Sequence, residues 1–371
     1  MLKRYRRYWA LLLGVMLVGP LTVGLIAPDD DSTFVRELRP RAAAPGFPGT
    51  LAELRAIPGQ LDRYFPDHFG MRSAMLHMHA VLHHIWLGSG SVGVQIADDG
   101  RFFYRDDKAP EQSAGLLVRM ERVRETAKTL ASIRDALAAQ GTRFVFASPP
   151  NSATVMSQSL PSWARRGNRK TEYSLLLEAL AAQGVETVDL RIPLIEASRG
   201  QVYLKHDTHW TERGAVIGFN AIVKTIGRGD WSLDPMEALG RAEPIVGGDL
   251  ARMLGVAQDV SEVAERITLP EGKQEILSTD PMPTFQLVAG REGGAAILVI
   301  GDSFTWPSFH KLARIHAARF AWTHHKQCGV DWKWIDQFRP TEVWWMPTER
   351  FMLCAPGVRP AGLPETVNSG L

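Results

Sequence analysis

The sequence predicts an α/β protein in which a mainly parallel β-sheet is flanked by helices and preceded by an N-terminal transmembrane helix. Helical patterns in residues 119–141 and 171–184 each end at a glycine, a common helix terminator. Short apolar runs alternate with these helices, as expected of strands that are covered on both faces of a parallel sheet. An apolar run near the N-terminus has the length needed to span a bilayer.

The N-terminal segment is predicted to anchor the protein in the inner membrane. Residues 1–7 carry four basic side chains and form a cytoplasmic segment, and residues 8–27 form the signal anchor. Everything after residue 28 is then expected outside the cytoplasm, which in a Gram-negative cell is the periplasm. A cleaved signal peptide is the alternative, but Pro28 directly after Ala27 makes a poor cleavage site.

The remaining chain is predicted to comprise a tether, one catalytic domain and a tail. Residues 28–60 are rich in Pro, Ala, Gly and Arg, a composition typical of a flexible tether. The folded domain is expected at residues 61–355, and the C-terminal tail at residues 356–371.

The elements of the folded domain follow from hydrophobic periodicity. Apolar residues between 71 and 82 recur at helical spacing, and a hairpin is predicted to turn at Asp99-Gly100. Further helices are predicted at 119–141, 171–184, 211–227 and 306–320, and strands at 142–150, 185–190, 295–301 and 341–347. Residues 228–290 lack a regular pattern, and the segment "GGDLARML" (247–254) within them is expected to be an inserted loop near the functional site.

Composition excludes some functions and leaves others open. The net charge is +2 and the basic residues are dispersed, so no nucleic-acid partner is expected. Cys328 and Cys354 fit one disulfide in an oxidising compartment, and two unpaired buried thiols are the equal alternative.

Ser303 is the candidate nucleophile. It directly follows a predicted strand in "ILVIGDSF", and Pro307 lies near the start of the next predicted helix. A serine at such a strand-to-helix turn projects from the sheet edge, where backbone N–H groups can bind an oxyanion. The alternative is a serine that only caps the helix.

Asp207 and His209 are the candidate base and its orienting acid. A serine hydroxyl needs a base that a third group holds in place. In an extended segment, residues two apart point the same way, so the Asp207 carboxylate can hydrogen-bond the His209 imidazole. His209 would then remove the proton of Ser303.

Two other sites were weighed. His206, Asp207 and His209 could together bind zinc, although neither a His-Glu-x-x-His arrangement nor paired cysteines occur. Other candidate ligands are His79, His83, His324, His325 and Cys328. "GSGSVG" at residues 88–93 fits a dinucleotide-binding pattern, but a helix precedes it and a hairpin follows, the wrong context. We therefore expect neither a metal nor an organic cofactor.

Several motifs occur together in an informative order, and they are "FPDHFGMRS", "IADDGRFFY", "HDTHWTERGA", "GGDLARML", "VIGDSFTW" and, more weakly, "VWWMPTERFM". They resemble the SGNH-hydrolase-like proteins of the alginate O-acetyltransferase (AlgJ/AlgX) type, exported proteins that acetylate polysaccharides. The likeness extends over most of residues 61–355. It implies a flavodoxin-like SGNH fold with permuted motif order, because the Asp-x-His segment precedes the serine here.

The resemblance also implies roles for individual residues. Ser303 becomes the nucleophile, His209 the base and Asp207 its orienter. Candidates for oxyanion or substrate contacts are Asp302, Asn151, Trp210 and Arg350. A membrane-bound O-acyltransferase would supply the acetyl groups.

The resulting expectation is a polysaccharide O-acetyltransferase that works through a serine acyl-enzyme. A carbohydrate acetyl-esterase would use the same triad, because water and a sugar hydroxyl compete for one acyl-enzyme. A non-catalytic polysaccharide-binding or assembly factor is the third hypothesis.

Overall fold

The computed structural model describes residues 2–26, 42–165, 167–270, 274–279, 284–288, 294–325 and 330–353. The chain divides into two compact units, Met1–Leu87 and Gly88–Leu371. The predicted pairing of Cys328 with Cys354 lies outside the described residues.

The first unit is helical. It contains α1 (Leu2–Ile26), α2 (Leu51–His68), α3 (Arg72–Ala80) and a π-helical turn (Val81–Trp86). The hydroxyl of Thr50 accepts a hydrogen bond from the Glu53 backbone N–H and thereby caps α2. This helix begins inside the range 28–60 that was predicted as a tether. Among the residues that the structure describes, no helix is both long and apolar enough to cross a membrane, so the predicted transmembrane helix is not confirmed.

The second unit is built on a mixed sheet. In the described part of the chain, seven strands pair in the order β4-β3-β11-β9-β10-β8-β7. The strands of this unit are β1 (Val94–Ile96), β2 (Phe102–Tyr104), β3 (Arg143–Phe146), β4 (Glu186–Thr187), β5 (Glu243–Val246), β6 (Ser261–Ala264), β7 (Glu275–Ser278), β8 (Thr284–Val288), β9 (Ala296–Gly301), β10 (Arg319–His324) and β11 (Glu342–Met346). The pairs from β4 to β10 are parallel, and β8 and β7 add an antiparallel edge. The predicted α/β class with a mainly parallel sheet is confirmed.

Helices cover both faces of this sheet. The helices of the second unit are α4 (Ala109–Ser113), α5 (Met120–Ala138), α6 (Ser152–Val155), α7 (Glu172–Ala182), α8 (Arg191–Glu196), α9 (Glu212–Thr225), α10 (Pro235–Ala238), α11 (Asp249–Met253), α12 (Phe309–Arg314) and α13 (Trp332–Phe338). Side chains of α5 and α7 belong to one hydrophobic cluster, and those of α9 and α12 belong to another. The two clusters lie on opposite faces of the sheet, because neighbouring residues of β11 point to opposite faces. Trp344 packs in the cluster of α9 and α12, and Trp345 packs in the cluster of α5 and α7.

Two short antiparallel hairpins complete the second unit. β1 pairs with β2, which confirms the predicted hairpin around Asp99-Gly100, and β5 pairs with β6. The strand β10 was predicted as the end of a helix. The helix ends instead at Arg314, and the chain returns into the sheet with four consecutive buried residues. Burial against both layers therefore outweighs the helical propensity of the two alanines that precede this strand.

Candidate active site

Ser303 lies in a tight turn at the carboxyl end of β9. The carbonyl of Asp302 accepts hydrogen bonds from the backbone N–H groups of Thr305 (3.0 Å) and Trp306 (3.2 Å), and one Asp302 carboxylate oxygen accepts from Phe304 N–H (3.0 Å). Helix α12 starts only at Phe309, with Ser308 at its N-cap position. Ser303 is therefore not a helix cap, and its hydroxyl is available for another partner.

His209 lies in a compact loop just before α9. Tyr203 and Trp210 form an isolated antiparallel bridge, and Leu204 N–H donates to the His209 carbonyl at 3.1 Å. Thr211 then begins α9, because its hydroxyl accepts from Gly214 N–H at 3.1 Å. The chain thus turns sharply between a bridge and a capped helix, and this turn presents His209.

The three predicted catalytic side chains are brought together. His209 Nε2 lies 2.8 Å from Ser303 Oγ, although the two residues are 94 positions apart. On the other side of the ring, Nδ1 lies 2.6 Å from an Asp207 carboxylate oxygen. With the proton on Nδ1, Nε2 has a lone pair that can accept the proton of the Ser303 hydroxyl. The arrangement is a continuous hydrogen-bonded chain from carboxylate to imidazole to hydroxyl.

The reason for the Asp207–His209 contact differs from the predicted one. The segment is a turn, not an extended strand, and the same Asp207 oxygen also accepts from the His209 backbone N–H at 3.0 Å. Such side-chain-to-backbone bonds two residues apart are typical of aspartate turns. Main-chain and side-chain bonds together orient the carboxylate.

The charges of this chain shift its titration. Burial by itself would raise the pKa of Asp207, but the hydrogen bond and charge of His209 outweigh it and hold that pKa well below its usual range. Burial lowers the pKa of His209, yet the bond to Asp207 and the charges of Asp207 and Asp249 raise it above its ordinary value of 6.5. The positive charge of Arg350 opposes this rise. The site therefore favours an ionised acid beside an imidazole that readily accepts a proton.

Asp249 is a second carboxylate at the site, and no residue-level prediction included it. Its Oδ2 lies 3.7 Å from His209 Nδ1, and its backbone N–H donates to Asp207 Oδ2 at 2.8 Å. It belongs to the segment 247–254, which was predicted to lie near the site. Burial, followed by the charge of Asp207, raises the pKa of Asp249 above its usual value. Only the paired glycines before an acidic residue signalled its importance in the sequence.

Trp210 connects the loop that carries His209 to the turn that carries Ser303. Its indole N–H donates to the Phe304 carbonyl at 2.8 Å, and its ring stacks on Phe309 with the two ring centroids 6.0 Å apart. Side chains at Gly214 and Gly218 would crowd this ring. The indole N–H is thus already engaged inside the protein and is not free to serve as the predicted oxyanion donor. The ring itself lines the cavity that contains Ser303, so the predicted substrate contact stays a prediction.

Asp302 stabilises the turn of residues 302–306 that carries Ser303, called here the nucleophile turn. Its second carboxylate oxygen accepts from the Thr348 backbone N–H (2.8 Å) and hydroxyl (2.6 Å). Its carboxylate is buried and acceptor-only when ionised, so the predicted oxyanion role does not fit its chemistry. The backbone N–H of Ser303 itself has no hydrogen-bond acceptor among the described residues, which makes it the oxyanion donor that the turn offers.

Asn151 does not line the cavity that contains Ser303. Its backbone N–H donates to Glu349 at 2.7 Å, and its side-chain amide lies 3.3 Å from the Ser113 hydroxyl. The Asn151 side-chain oxygen is buried without a hydrogen-bond partner. The structure therefore places this residue in a buried polar network beside the site rather than in its cavity.

Arg350 lies beside the nucleophile turn. Its guanidinium group is stacked near the rings of Tyr104 (5.2 Å to the ring centroid), Phe304 (5.4 Å) and Phe351 (5.1 Å). It makes no ion pair with any residue in the described ranges, and it lines a neighbouring cavity of about 390 Å³. Arg350 does not line the cavity that contains Ser303, although its positive charge acts on His209, so its predicted substrate contact stays a prediction.

The cavity at Ser303 has a volume of about 280 Å³. Asp207, His209 and Ser303 line it together with the apolar side chains of Ile245 and Trp306. Trp306 is 44% exposed, so part of its ring faces solvent beside Ser303. The cavity thus combines a reactive hydroxyl with an aromatic surface.

The candidate metal ligands that lie close together in the structure differ from those grouped in the sequence. His206, the third member of the zinc set considered as an alternative with Asp207 and His209, packs against the Phe102 ring and faces Glu262. In the described residues, the ligand atoms of Asp207, His209 and Asp249 lie within 4.8 Å of one another. These atoms are already hydrogen-bonded within the site, Nδ1 to Asp207 and Asp249 Oδ2 to the Thr208 hydroxyl. Hydrogen bonding within the site therefore accounts for the close approach of these atoms.

Comparisons with known proteins identify relatives of this chain. A family model described as the SGNH hydrolase-like domain of acetyltransferase AlgX matches residues 94–314. Over 166 residues the chain is 24% identical to the probable alginate O-acetylase AlgJ of Azotobacter vinelandii, which covers 44% of this chain and 42% of that protein. The chain thus matches less than half the length of this relative.

Solved structures share the fold. A DHHW family protein from Eubacterium siraeum superposes with a TM-score of 0.54 at 12% identity, covering 71% of this chain and 93% of that one. Bacillus cereus PatB1 superposes with a TM-score of 0.51 at 13% identity, covering 70% of this chain and 96% of that one. At such identities the likeness extends to the fold alone.

Proposed function

This chain belongs to the family of SGNH hydrolase-like domains represented by acetyltransferase AlgX, and from this we propose that it transfers acetyl groups to polysaccharide hydroxyls through an acyl-serine at Ser303. The single observation that carries the proposal is the hydrogen-bonded chain Asp207–His209–Ser303. A partly buried carboxylate, an imidazole and an exposed hydroxyl at these distances form the standard arrangement for acyl transfer.

In the first half-reaction, Ser303 Oγ attacks the carbonyl carbon of an acetyl ester while its proton moves to His209 Nε2. The carbonyl electron pair moves onto oxygen, where the Ser303 backbone N–H can stabilise the negative charge. One such donor typically contributes about 10²–10³ in rate. When the tetrahedral intermediate collapses, His209 returns its proton to the leaving alcohol, and an acetyl-serine remains.

In the second half-reaction, His209 accepts the proton of a sugar hydroxyl as its oxygen attacks the acetyl-serine. Collapse releases Ser303 Oγ, which regains the proton from His209, and the acetyl group is now on the sugar. The exposed ring of Trp306 beside the nucleophile supports a carbohydrate acceptor, because aromatic faces pack well against the apolar faces of sugar rings. The names of the curated relatives, probable alginate O-acetylases, support the same acceptor class.

The source of the acetyl group and the location of the protein are part of this proposal. We propose a membrane-bound O-acyltransferase as the supplier of acetyl groups and the periplasmic face of the inner membrane as the place of work. The basic and apolar character of the first 27 residues supports this location.

The test incubates the purified full-length chain with an acetyl-ester donor and an oligosaccharide acceptor. We expect intact-protein mass spectrometry to detect one acetyl group, peptide mapping to locate it on Ser303, and the product to be acetylated oligosaccharide. Ser303→Ala should abolish both signals, whereas Ser157→Ala, which removes an equally small hydroxyl outside the cavity, should not.

Other outcomes would redirect the proposal. Free acetate as the sole product would identify an esterase that uses the same acyl-enzyme. Full acetylation of the oligosaccharide by Ser303→Ala would exclude the acyl-serine. A wild-type chain that binds the oligosaccharide but never carries acetyl would indicate a non-catalytic assembly role.

A further inference from the structure

We propose that Asp249 is a positioning residue of this site, which fixes the Asp207–His209 turn and adds a second negative charge beside the imidazole. The proposal rests on the function proposed above, since it takes His209 to be the base. A triad of this kind requires one carboxylate, so a second carboxylate within 4 Å of the same ring nitrogen calls for an explanation.

Asp249 makes four hydrogen bonds, of which three reach the Asp207–His209 turn. Its Oδ1 accepts from the backbone N–H groups of Thr208 (2.7 Å) and Leu250 (2.7 Å), and its Oδ2 accepts from the Thr208 hydroxyl (2.5 Å). Its own backbone N–H donates to Asp207 Oδ2 (2.8 Å). These bonds hold Thr208 and the Asp207 carboxylate, and Asp207 in turn holds the His209 ring and backbone N–H.

Gly248, the residue before Asp249, allows the close approach of the backbone that brings Asp249 to His209. Gly248 has a φ of 144°, and a side chain there would collide with the His206 carbonyl and lie 3.1 Å from Asp207 Cβ. Only glycine lets α11 approach so closely the loop of residues 204–210 that carries Asp207 and His209, called here the base loop. The approach brings the first residue of α11, Asp249, to the imidazole.

The charge of Asp249 also reaches His209. Three charged groups act on this ring: the carboxylates of Asp207 and Asp249, and the guanidinium of Arg350. The Thr208 hydroxyl lies between Asp249 and the ring, 3.3 Å from Nδ1. When His209 takes the proton of Ser303 it becomes positive, and two nearby carboxylates stabilise that state more than one does.

A carboxylate-to-amide change separates the two parts of this role. In Asp249→Asn the side-chain oxygen can still accept from the Thr208 and Leu250 N–H groups, so the turn is kept. The negative charge is lost. If the charge matters, the imidazolium becomes less stable and His209 stays neutral to lower pH.

Glu262→Gln is the matched control. Glu262 is also a carboxylate that supports this loop, accepting from the N–H groups of Lys205 (2.8 Å) and His206 (3.2 Å). Among the described residues its ion-pair contact is with His206, whose Nδ1 lies 3.5 Å from Glu262 Oε1, and not with His209. Both variants thus replace a loop-supporting carboxylate, and only one of them faces the base.

The experiment measures kcat/KM for turnover of an acetyl-ester donor across pH in the full-length protein. In this profile kcat/KM falls on the acid side (the acid limb) and is constant at higher pH (the plateau). For Asp249→Asn we expect the acid limb to move to lower pH by roughly one unit and the plateau value to fall several-fold. Glu262→Gln should keep the wild-type acid limb. A wild-type limb in Asp249→Asn, or an equal shift in Glu262→Gln, would overturn the proposal.

Two further variants keep the test decisive. Should Asp249→Asn fail to fold by circular dichroism, Thr208→Val removes the hydroxyl that links Asp249 to the ring and keeps both charges. We expect it to lower the plateau several-fold without moving the acid limb, and a wild-type plateau would count against the proposal. Ser303→Ala, measured alongside, tests the acyl-serine separately, so the loss of either hypothesis is recognised by its own variant.

Discussion

Gly248 lies so close to His206 that a Cβ atom there would overlap the His206 carbonyl oxygen. The φ of 144° at Gly248 is itself one that side-chain-bearing residues rarely adopt. The base loop and α11 therefore meet backbone to backbone.

Gly248→Ala should consequently lower both activity and stability. Relieving the overlap displaces the loop that carries Asp207, and the strained backbone adds about 1–3 kcal/mol to the loss of unfolding free energy. Urea unfolding and acetyl-ester turnover would measure the two effects. Gly229→Ala is the control, because a side chain at Gly229 meets open space. Equal behaviour of the two variants would contradict the close approach described here.

Trp210→Phe should uncouple the base loop from the nucleophile turn. The change keeps an aromatic ring but leaves the buried Phe304 carbonyl without its 2.8 Å hydrogen bond, at a cost of about 1–3 kcal/mol. We also expect a lower kcat, since the Ser303–His209 distance is no longer fixed by this bond.

Trp344→Phe provides the comparison for that variant. Trp344 is equally buried, and its indole N–H donates to the Glu342 carboxylate at 3.0 Å. It should lose similar stability in thermal or urea unfolding and keep the wild-type kcat. A similar kcat for both variants would show that the indole bond of Trp210 is only structural.

The pH dependence of activity should report the pKa of His209. The base works only when neutral, so kcat/KM falls as the pH drops through a pKa that lies above 6.5. Arg350→Gln removes the positive charge that lowers this pKa, and the acid limb should move to higher pH. Arg252→Gln, at an exposed residue of α11, should leave the limb in place. A downward shift in Arg350→Gln would contradict the assigned charge arrangement.

Asp302 should make the protein sensitive to strong acid. Burial by itself would raise its pKa, but the nearby His325 imidazole, the hydrogen bonds of Thr348 and the charge of Arg350 hold the pKa of Asp302 at about 2. Because this folded-state pKa lies below the ordinary value of 3.8, the carboxylate contributes stability above that value and loses it as the pH falls through about 2. The contribution is roughly 2 kcal/mol.

The measurement is unfolding free energy against pH for wild type and Asp302→Asn. The variant should be less stable at neutral pH, and the difference between the two proteins should shrink between pH 4 and pH 2, roughly the interval between the two pKa values. A difference that stays constant with pH would show that the ionised carboxylate is not what the turn requires.

The sequence was sufficient to predict the triad because each part has a local signature. Asp207 and His209 are two residues apart, and Ser303 follows an apolar strand in a chain of alternating helices and strands. Ser303 lies at the carboxyl end of β9, the edge where functional residues of parallel sheets gather. The loop of His209 follows only the isolated Tyr203–Trp210 bridge, so its contact with Ser303 depends on tertiary packing.

Asp249 shows where prediction from sequence ends. It lies about forty residues from Asp207 in a region without periodic hydrophobicity, so its position depends on the tertiary approach of α11, which periodicity does not encode. The hydrogen-bond partners of Asp302 and Trp210 could not be predicted for a related reason. Both occur within catalytic motifs, and only the structure shows that their polar atoms bond to the protein interior.

The adjacent side chains of Trp344 and Trp345, which point into opposite hydrophobic clusters, have a spectroscopic consequence. Because a strand cannot withdraw one of two neighbouring residues without moving the other, both layers must melt in a single event. Emission from this pair should therefore red-shift in one transition on heating, with no plateau in which one layer has become hydrated and the other is still dry.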